Sequence, residues 1–260
     1  MDSIGRIVIP GDCVASTSKT LLNGYGIYKH EGVLYASLMG KLEQINQLIY
    51  VKPLKGRYMA QVGDIVVGRI DEIVGNKWMV EIGSVERAQL SIFQVNLSEL
   101  SGRRRLNEDL YDMSNIFALD DLISCEVQRI MAEGTALLQI RSDKLGKLKN
   151  GIVLTVQPYL IKRQAKHIYI FDFGVKITLG CNGKIWLSSS DTNDAPSYGD
   201  RQNISIIRAI IQTIASHYII IHFDMISEMY KMFIKKNYKI QNFDIFIQGT
   251  ELLKEYLSLA

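Results

Sequence analysis

Residues 64–82 read DIVVGRIDEIVGNKWMVEI, two apolar-rich runs on either side of Gly75-Asn76. A Gly/Asn pair between such runs supplies the backbone angles of a tight turn, so a β-hairpin is expected. In its second arm Trp78, Val80 and Ile82 alternate with Lys77, Met79 and Glu81. That period of two gives one apolar face, with Trp78 in a core, and one open face, where a base could meet Lys77 and Met79. Further β-like runs follow at Ala88 to Ile92, Asp121 to Met131 and Thr135 to Ile140, with a long connection over about 93–120. Five strands with one long connection between the third and fourth are the strand content of an OB barrel.

The chain changes character on both sides of this pattern. Upstream, short apolar runs at Arg6 to Ile9, Val33 to Leu38 and Leu48 to Val51 alternate with Gly-rich turns such as Asn23-Gly24-Tyr25-Gly26, which reads as a small β module. Downstream of Arg141 comes a basic, turn-rich stretch, then two extended segments, Gly151 to Ile161 and His167 to Leu187, and a polar loop over Ser188 to Asp200. Asp200 is a plausible N-cap for a helix with apolar residues at Ile207, Ile210, Ile211, Ile214 and Tyr218. Met225, Met229, Met232 and Phe233 repeat the helical spacing, and a last helix is expected from about Thr250 with Leu252, Leu253, Tyr256 and Leu257. The fold class is therefore mostly β with an α+β C-terminal part, in three domains at 1–58, 59–143 and 144–260.

Composition narrows the function. With 260 residues, 47% of them apolar, 30 Lys or Arg and 27 Asp or Glu, the chain can bury real cores and is nearly neutral at +3. Disorder and collagen-like repetition are excluded. Cys13, Cys125 and Cys181 are too far apart for a CxxC metal pair or a dense disulfide framework, which fits a reducing, intracellular compartment. The first ten residues do not read as a secretory signal. The apolar stretch from Ile204 to Ile221 is interrupted by Arg208, Gln212 and His217, so no membrane span is expected.

No catalytic grouping emerges. Asp120-Asp121 and Glu108-Asp109 are adjacent pairs that diverge on a strand or helix, His217 and His222 are five apart, and Walker and HExxH patterns are absent. Ser16 to Lys19 matches SxxK without its companion elements. No metal and no cofactor are expected. Basic residues say more. Arg103, Arg104 and Arg105 stand in the long barrel connection, too many for Glu108 and Asp109 to neutralise locally. Between Arg141 and Lys166, Arg141, Lys144, Lys147, Lys149, Lys162, Arg163 and Lys166 face Asp143 alone, a local excess of +6. Clustered cations on OB modules fit a phosphate backbone. The same run also fits a solvated surface or an acidic protein. The candidate nucleic-acid contacts are Lys77, Arg103, Arg104, Arg105, Lys144, Lys147, Lys162 and Arg163. Gly180-Cys181-Asn182-Gly183 has the GxxG form with which KH domains clamp a backbone, but its flanks, Lys176 to Leu179 and Lys184 to Leu187, look like strands. A hairpin turn with Gly183 at positive φ is the better reading, and Trp186 beside it reads as a packing anchor.

Eight segments in order carry a resemblance: Val8 to Asp12, Gly24 to Gly26, Val51 to Tyr58, Val62 to Arg69, Gly102 to Arg105, Asp121 to Ser124, Lys144 to Leu148 and Gly180 to Trp186. Together they resemble the three-module cap subunits of the eukaryotic and archaeal RNA exosome. The resemblance implies an N-terminal β domain, an OB barrel of the ribosomal S-one type and a KH domain. It implies a non-catalytic subunit that binds single-stranded RNA and sits, with other cap subunits, on a hexameric ring of ribonuclease-PH-like subunits. It also implies a GxNG turn that packs the KH domain against its neighbour, and a place in the nucleus, including the nucleolus, and the cytoplasm. A free-standing RNA-binding regulator of translation or ribosome assembly is the alternative. The Ile-rich helix and the tail after Lys235 diverge from the family pattern.

Overall fold

The computed structural model describes residues 5–16, 21–53, 56–95, 113–190, 196–236, 238, 244–245 and 247–259. Contacts divide the chain into two compact units, 1–56 and 57–260.

The first unit is strands throughout, more of them than the sequence suggests: β1 (Ile7–Val8), β2 (Cys13–Ser16), β3 (Leu22–Asn23), β4 (Ile27–His30), β5 (Val33–Ala36), β6 (Gly40–Ile45) and β7 (Leu48–Pro53). They form one sheet in the order β1-β6-β7-β3 and another in the order β2-β5-β4. Val8, Leu42 and Val51 from the first sheet and Val14, Ile27, Leu34 and Ala36 from the second share one small core. Strands as short as β1 and β3 carry too little periodicity to register in a sequence.

The second unit opens with β8 (Ile65–Val74), β9 (Lys77–Glu81) and β10 (Ala88–Val95), then a short helix α1 (Met113–Ile116), β11 (Leu122–Ile130) and β12 (Ala136–Ile140). The order β12-β10-β9-β8-β11, closed by pairing of β11 with β12, is a five-stranded barrel of OB type. Trp78 is fully buried, and its indole N–H donates to the Phe117 carbonyl at 3.1 Å. The short helix α1, just before Phe117, lies in what the sequence reads only as a long connection, outside the C-terminal part where helices are expected. Closing the barrel removes free edges, and β13 (Gly146–Lys147) adds to β11 outside it.

A second sheet follows, with β14 (Gly151–Thr155), β15 (Ile168–Ile170), β16 (Val175–Leu179) and β17 (Lys184–Ser189) antiparallel in the order β14-β17-β16-β15. The extended run expected to reach Ile161 is broken by a 3-10 turn at Pro158–Leu160. Three helices follow, α2 (Tyr198–Ser216), α3 (Phe223–Lys235) and α4 (Gln248–Leu259), with α2 packed on this sheet and α4 packed on α2 and α3. Ser197, not Asp200, caps α2. Asp200 is the third helical residue and its carboxylate accepts from the Ser197 N–H at 3.1 Å, completing a capping box. Tyr218 lies beyond the end of α2, at φ 57° and 62% exposed, and the last helix begins two residues before Thr250. Five rings, Tyr169, Phe223, Phe171, Phe173 and Tyr230, stack at 3.9–4.8 Å and seat α3 on the sheet side. No described helix is long and apolar enough to cross a membrane.

Candidate nucleic-acid interface

The register of β9 and β10 pairs Lys77 with Ser91 and Met79 with Gln89, while Trp78 and Leu90 point to the core. β12 lies on the far side of β10, with Leu137 opposite Gln89. The outer residues therefore converge on a recess of about 430 Å³, lined by Lys77, Gln89, Ser91, Gln94, Gln128, Arg129, Met131 and Leu137 with Leu138. Lys77 Nζ donates to Gln89 Oε1 at 3.1 Å, which holds the cation at the wall without neutralising it. Arg129, near the end of β11, brings a second cation that makes no ion pair with a described residue. Two cations, three amides and an apolar floor suit a nucleotide, and this is the strand 2–3 face and strand 4–5 end that OB folds use for oligonucleotides. Nothing in the sequence around Arg129 marks it as a contact, because only the strand order places the end of β11 beside Lys77.

Lys144 and Lys162 are exposed and form no ion pair with a described residue. Lys147 does: it pairs with Asp121, which also accepts from the Ala118 N–H. Arg163 departs further from expectation. Its Nε donates to Asp64 Oδ1 at 2.7 Å and its Nη2 to Asp64 Oδ2 and the Met59 carbonyl, both at 3.2 Å. Asp64, only 3% exposed, also accepts from the Tyr58 hydroxyl at 2.5 Å and the Gln61 N–H at 3.1 Å. Desolvation alone would lower the Arg163 pKa, but the hydrogen bond and charge of Asp64 outweigh it and leave it raised. This guanidinium is committed to a buried carboxylate on the barrel, so its place is in the seam between barrel and second sheet. Arg103, Arg104 and Arg105 lie outside the described residues.

The GxxG segment, Gly180 to Gly183, joins β16 to β17 as a turn, and Gly183 has φ +83°. β9 pairs with β8 only from Arg69 onward, leaving the first half of β8 without a strand on that side. The turn fills the place: the Cys181 N–H donates to the Ile65 carbonyl at 2.8 Å. Asn182 donates from Nδ2 to the carbonyls of Val67 and Ile82 at 2.7 and 2.8 Å and accepts from the Val67 N–H at 3.3 Å. Lys184 adds an ion pair to Glu81 at 2.5 Å. With its polar groups turned into the barrel, this GxxG is geometrically unlike a backbone clamp.

Cys181 sits buried in the barrel core cluster, its Sγ 3.6 Å from His167 Nε2. His167 Nδ1 faces the Leu179 carbonyl at 2.8 Å and Nε2 accepts from the Gln164 N–H at 3.1 Å, so both ring nitrogens have backbone partners besides the thiol. Burial first, then the Asp64 charge, pushes the Cys181 pKa up to about 12, and burial pushes Cys125 up as well. In the folded protein at pH 8, iodoacetamide should label exposed Cys13 and spare the other two, as intact-mass spectrometry would show by a single adduct. Among the described residues no group of three or more His, Cys, Asp or Glu side chains could hold a metal ion.

A small β module, an OB barrel and a KH-type sheet docked through a GxNG turn define a three-module chain of the S1–KH class. Three family models match in that order: the exosome complex exonuclease RRP4 N-terminal region at residues 7–45, the RRP4 S1 domain at 57–129 and a KH domain at 151–193. The cattle exosome complex component RRP4 is 38% identical over 232 residues, covering 83% of this chain and 79% of its own length. The Caenorhabditis elegans RRP4 homolog is 37% identical over 185 residues, covering 71% of this chain and 61% of its own. A crystal structure of a protein assigned as an exosome complex RNA-binding protein shares the fold, with a TM-score of 0.50 and 20% identity over 70% of this chain and 98% of that one. The chain belongs to the RRP4 family of exosome components. It spans about three fifths of the length of the worm and fission-yeast relatives, 61% and 58% respectively.

Proposed function

We propose that this chain is a non-catalytic, RNA-binding cap subunit of an RNA exosome, guiding the 3′ end of RNA into a ring of ribonuclease-PH-like subunits for degradation and processing. The reading takes modules at 1–58, 59–143 and 144–260, and a place in the nucleus, nucleolus and cytoplasm. The barrel recess carries it, because it sets Lys77 and Arg129 together on the face that OB folds present to single strands. Lys144, Lys162 and the Arg103 to Arg105 run are further candidate contacts in this reading. Arg163 and Lys147 are set aside for the carboxylates they already hold. The RRP4 relatives, each an exosome component by name, support the assembly.

Replacing Lys77 and Arg129 together by Glu tests the recess. Binding of single-stranded RNA should weaken about equally across sequences, and the slope of log affinity against log salt should shrink by roughly 1.4, about 0.7 for each phosphate contact. Unchanged affinity in a folded double variant would remove the recess from the RNA path.

A further inference from the structure

The outer face of the three-stranded sheet in the first unit carries aromatic rings. Cys13, Tyr35 and Tyr28 are direct cross-strand partners on β2, β5 and β4, so their side chains share one face. The opposite face supplies Val14, Leu34 and Ile27 to the core. Tyr28 and Tyr35 stack with centroids 5.7 Å apart and planes at 25°, yet Tyr28 remains 46% exposed. At the β2 end of this row, Arg6 is anchored by Nη2 donating to the Cys13 carbonyl at 2.6 Å and forms no ion pair with a described residue. At the β4 end, His30 lies opposite Val33 on the same face, and the carboxylate that it meets is Glu31 at 3.9 Å.

We propose that this face is a second site for single-stranded RNA, in which bases stack on Tyr28 and Tyr35 and a phosphate meets the guanidinium of Arg6. A pleated sheet bearing open aromatic rings beside a cation is how single strands are held without reading their sequence. A protein partner would more naturally seek a pocket for an apolar anchor, whereas this row is flat and capped by a guanidinium. The inference rests on the RNA-binding reading of the chain but uses none of the barrel residues.

The test uses the full chain and a fluorescent twelve-nucleotide oligouridylate, with Tyr28→Phe, Tyr28→Leu and Tyr28→Ala beside Lys77→Glu. Binding should survive in Tyr28→Phe to within about twofold and weaken about fivefold or more in the Leu and Ala variants, since only Phe keeps the flat ring. Ultraviolet cross-linking of the wild type, mapped by mass spectrometry, should place uridine on Tyr28 or Tyr35. The cross-link decides the matter even if the Ala variant fails to fold. Affinity unmoved in all three variants, no cross-link within residues 13–35 and a loss with Lys77→Glu would overturn the second site and leave the barrel reading standing. A wild-type chain that binds no oligonucleotide at all would overturn both.

Discussion

Asp64→Ala should be among the most destabilising single changes in the second unit, lowering its stability by about 3 kcal/mol, near the lower end of what losing one partner of a buried pair costs. The lower end applies because the Arg163 side chain is 48% exposed and can rehydrate, whereas the Tyr58 hydroxyl, on a residue only 3% exposed, loses its acceptor. In a unit of this size that is roughly 6–12 °C in thermal midpoint. Arg163→Ala should destabilise as well, and the double variant should be milder than the sum of the two, because each single change strands the other's partner. Calorimetry on the four proteins measures that coupling. Additive effects would mean that the 2.7 Å contact contributes nothing to the seam.

Gly183→Val should cost about 3 kcal/mol or more, from two separate causes. At φ +83° an L residue is strained by about 1–3 kcal/mol. A Cβ would also stand 2.3 Å from the Val156 carbonyl oxygen and 3.1 Å from the Pro158 nitrogen, both backbone atoms that cannot swing aside. The clash falls on the segment that leads to Arg163, so the turn and the Asp64 pair should weaken together. Hydrogen exchange at the Cys181 amide, which bonds Ile65, should rise in this variant. An unchanged midpoint together with lost RNA affinity would return the GxxG to the role of a backbone clamp.

The barrel was legible because its signals are local. Trp78, Val80 and Ile82 alternate within six residues, and Gly75-Asn76 announces the turn before them. The cap of α2 is ambiguous in the sequence because a Ser and an Asp three apart, Ser197 and Asp200, can each start a helix, and only backbone geometry says which stands outside it. The place of Arg163 is hidden for a different reason. Its partner Asp64 is 99 residues away, so a count of charges between Arg141 and Lys166 has no means of subtracting it. Lys147 and Asp121, 26 apart, repeat the lesson on a smaller scale. Arg129 shows the converse, an unremarkable cation that gains a partner in Lys77 once β10 and β12 pair in parallel. Local excess charge points to a class of ligand, while the choice of individual cations requires the topology.

The cap reading is tested most directly by a time course on a labelled single-stranded RNA with this subunit alone, a nuclease-containing exosome ring alone, and both together. The subunit alone should degrade nothing, with magnesium, manganese or phosphate supplied. Added to the ring in equal amount, it should change which RNAs are degraded and how processively, and the Lys77→Glu/Arg129→Glu variant should join the ring while losing that effect. Degradation by the isolated subunit that disappears on mutating one of its own acidic residues would contradict the non-catalytic assignment, and a ring indifferent to its presence would contradict the cap itself.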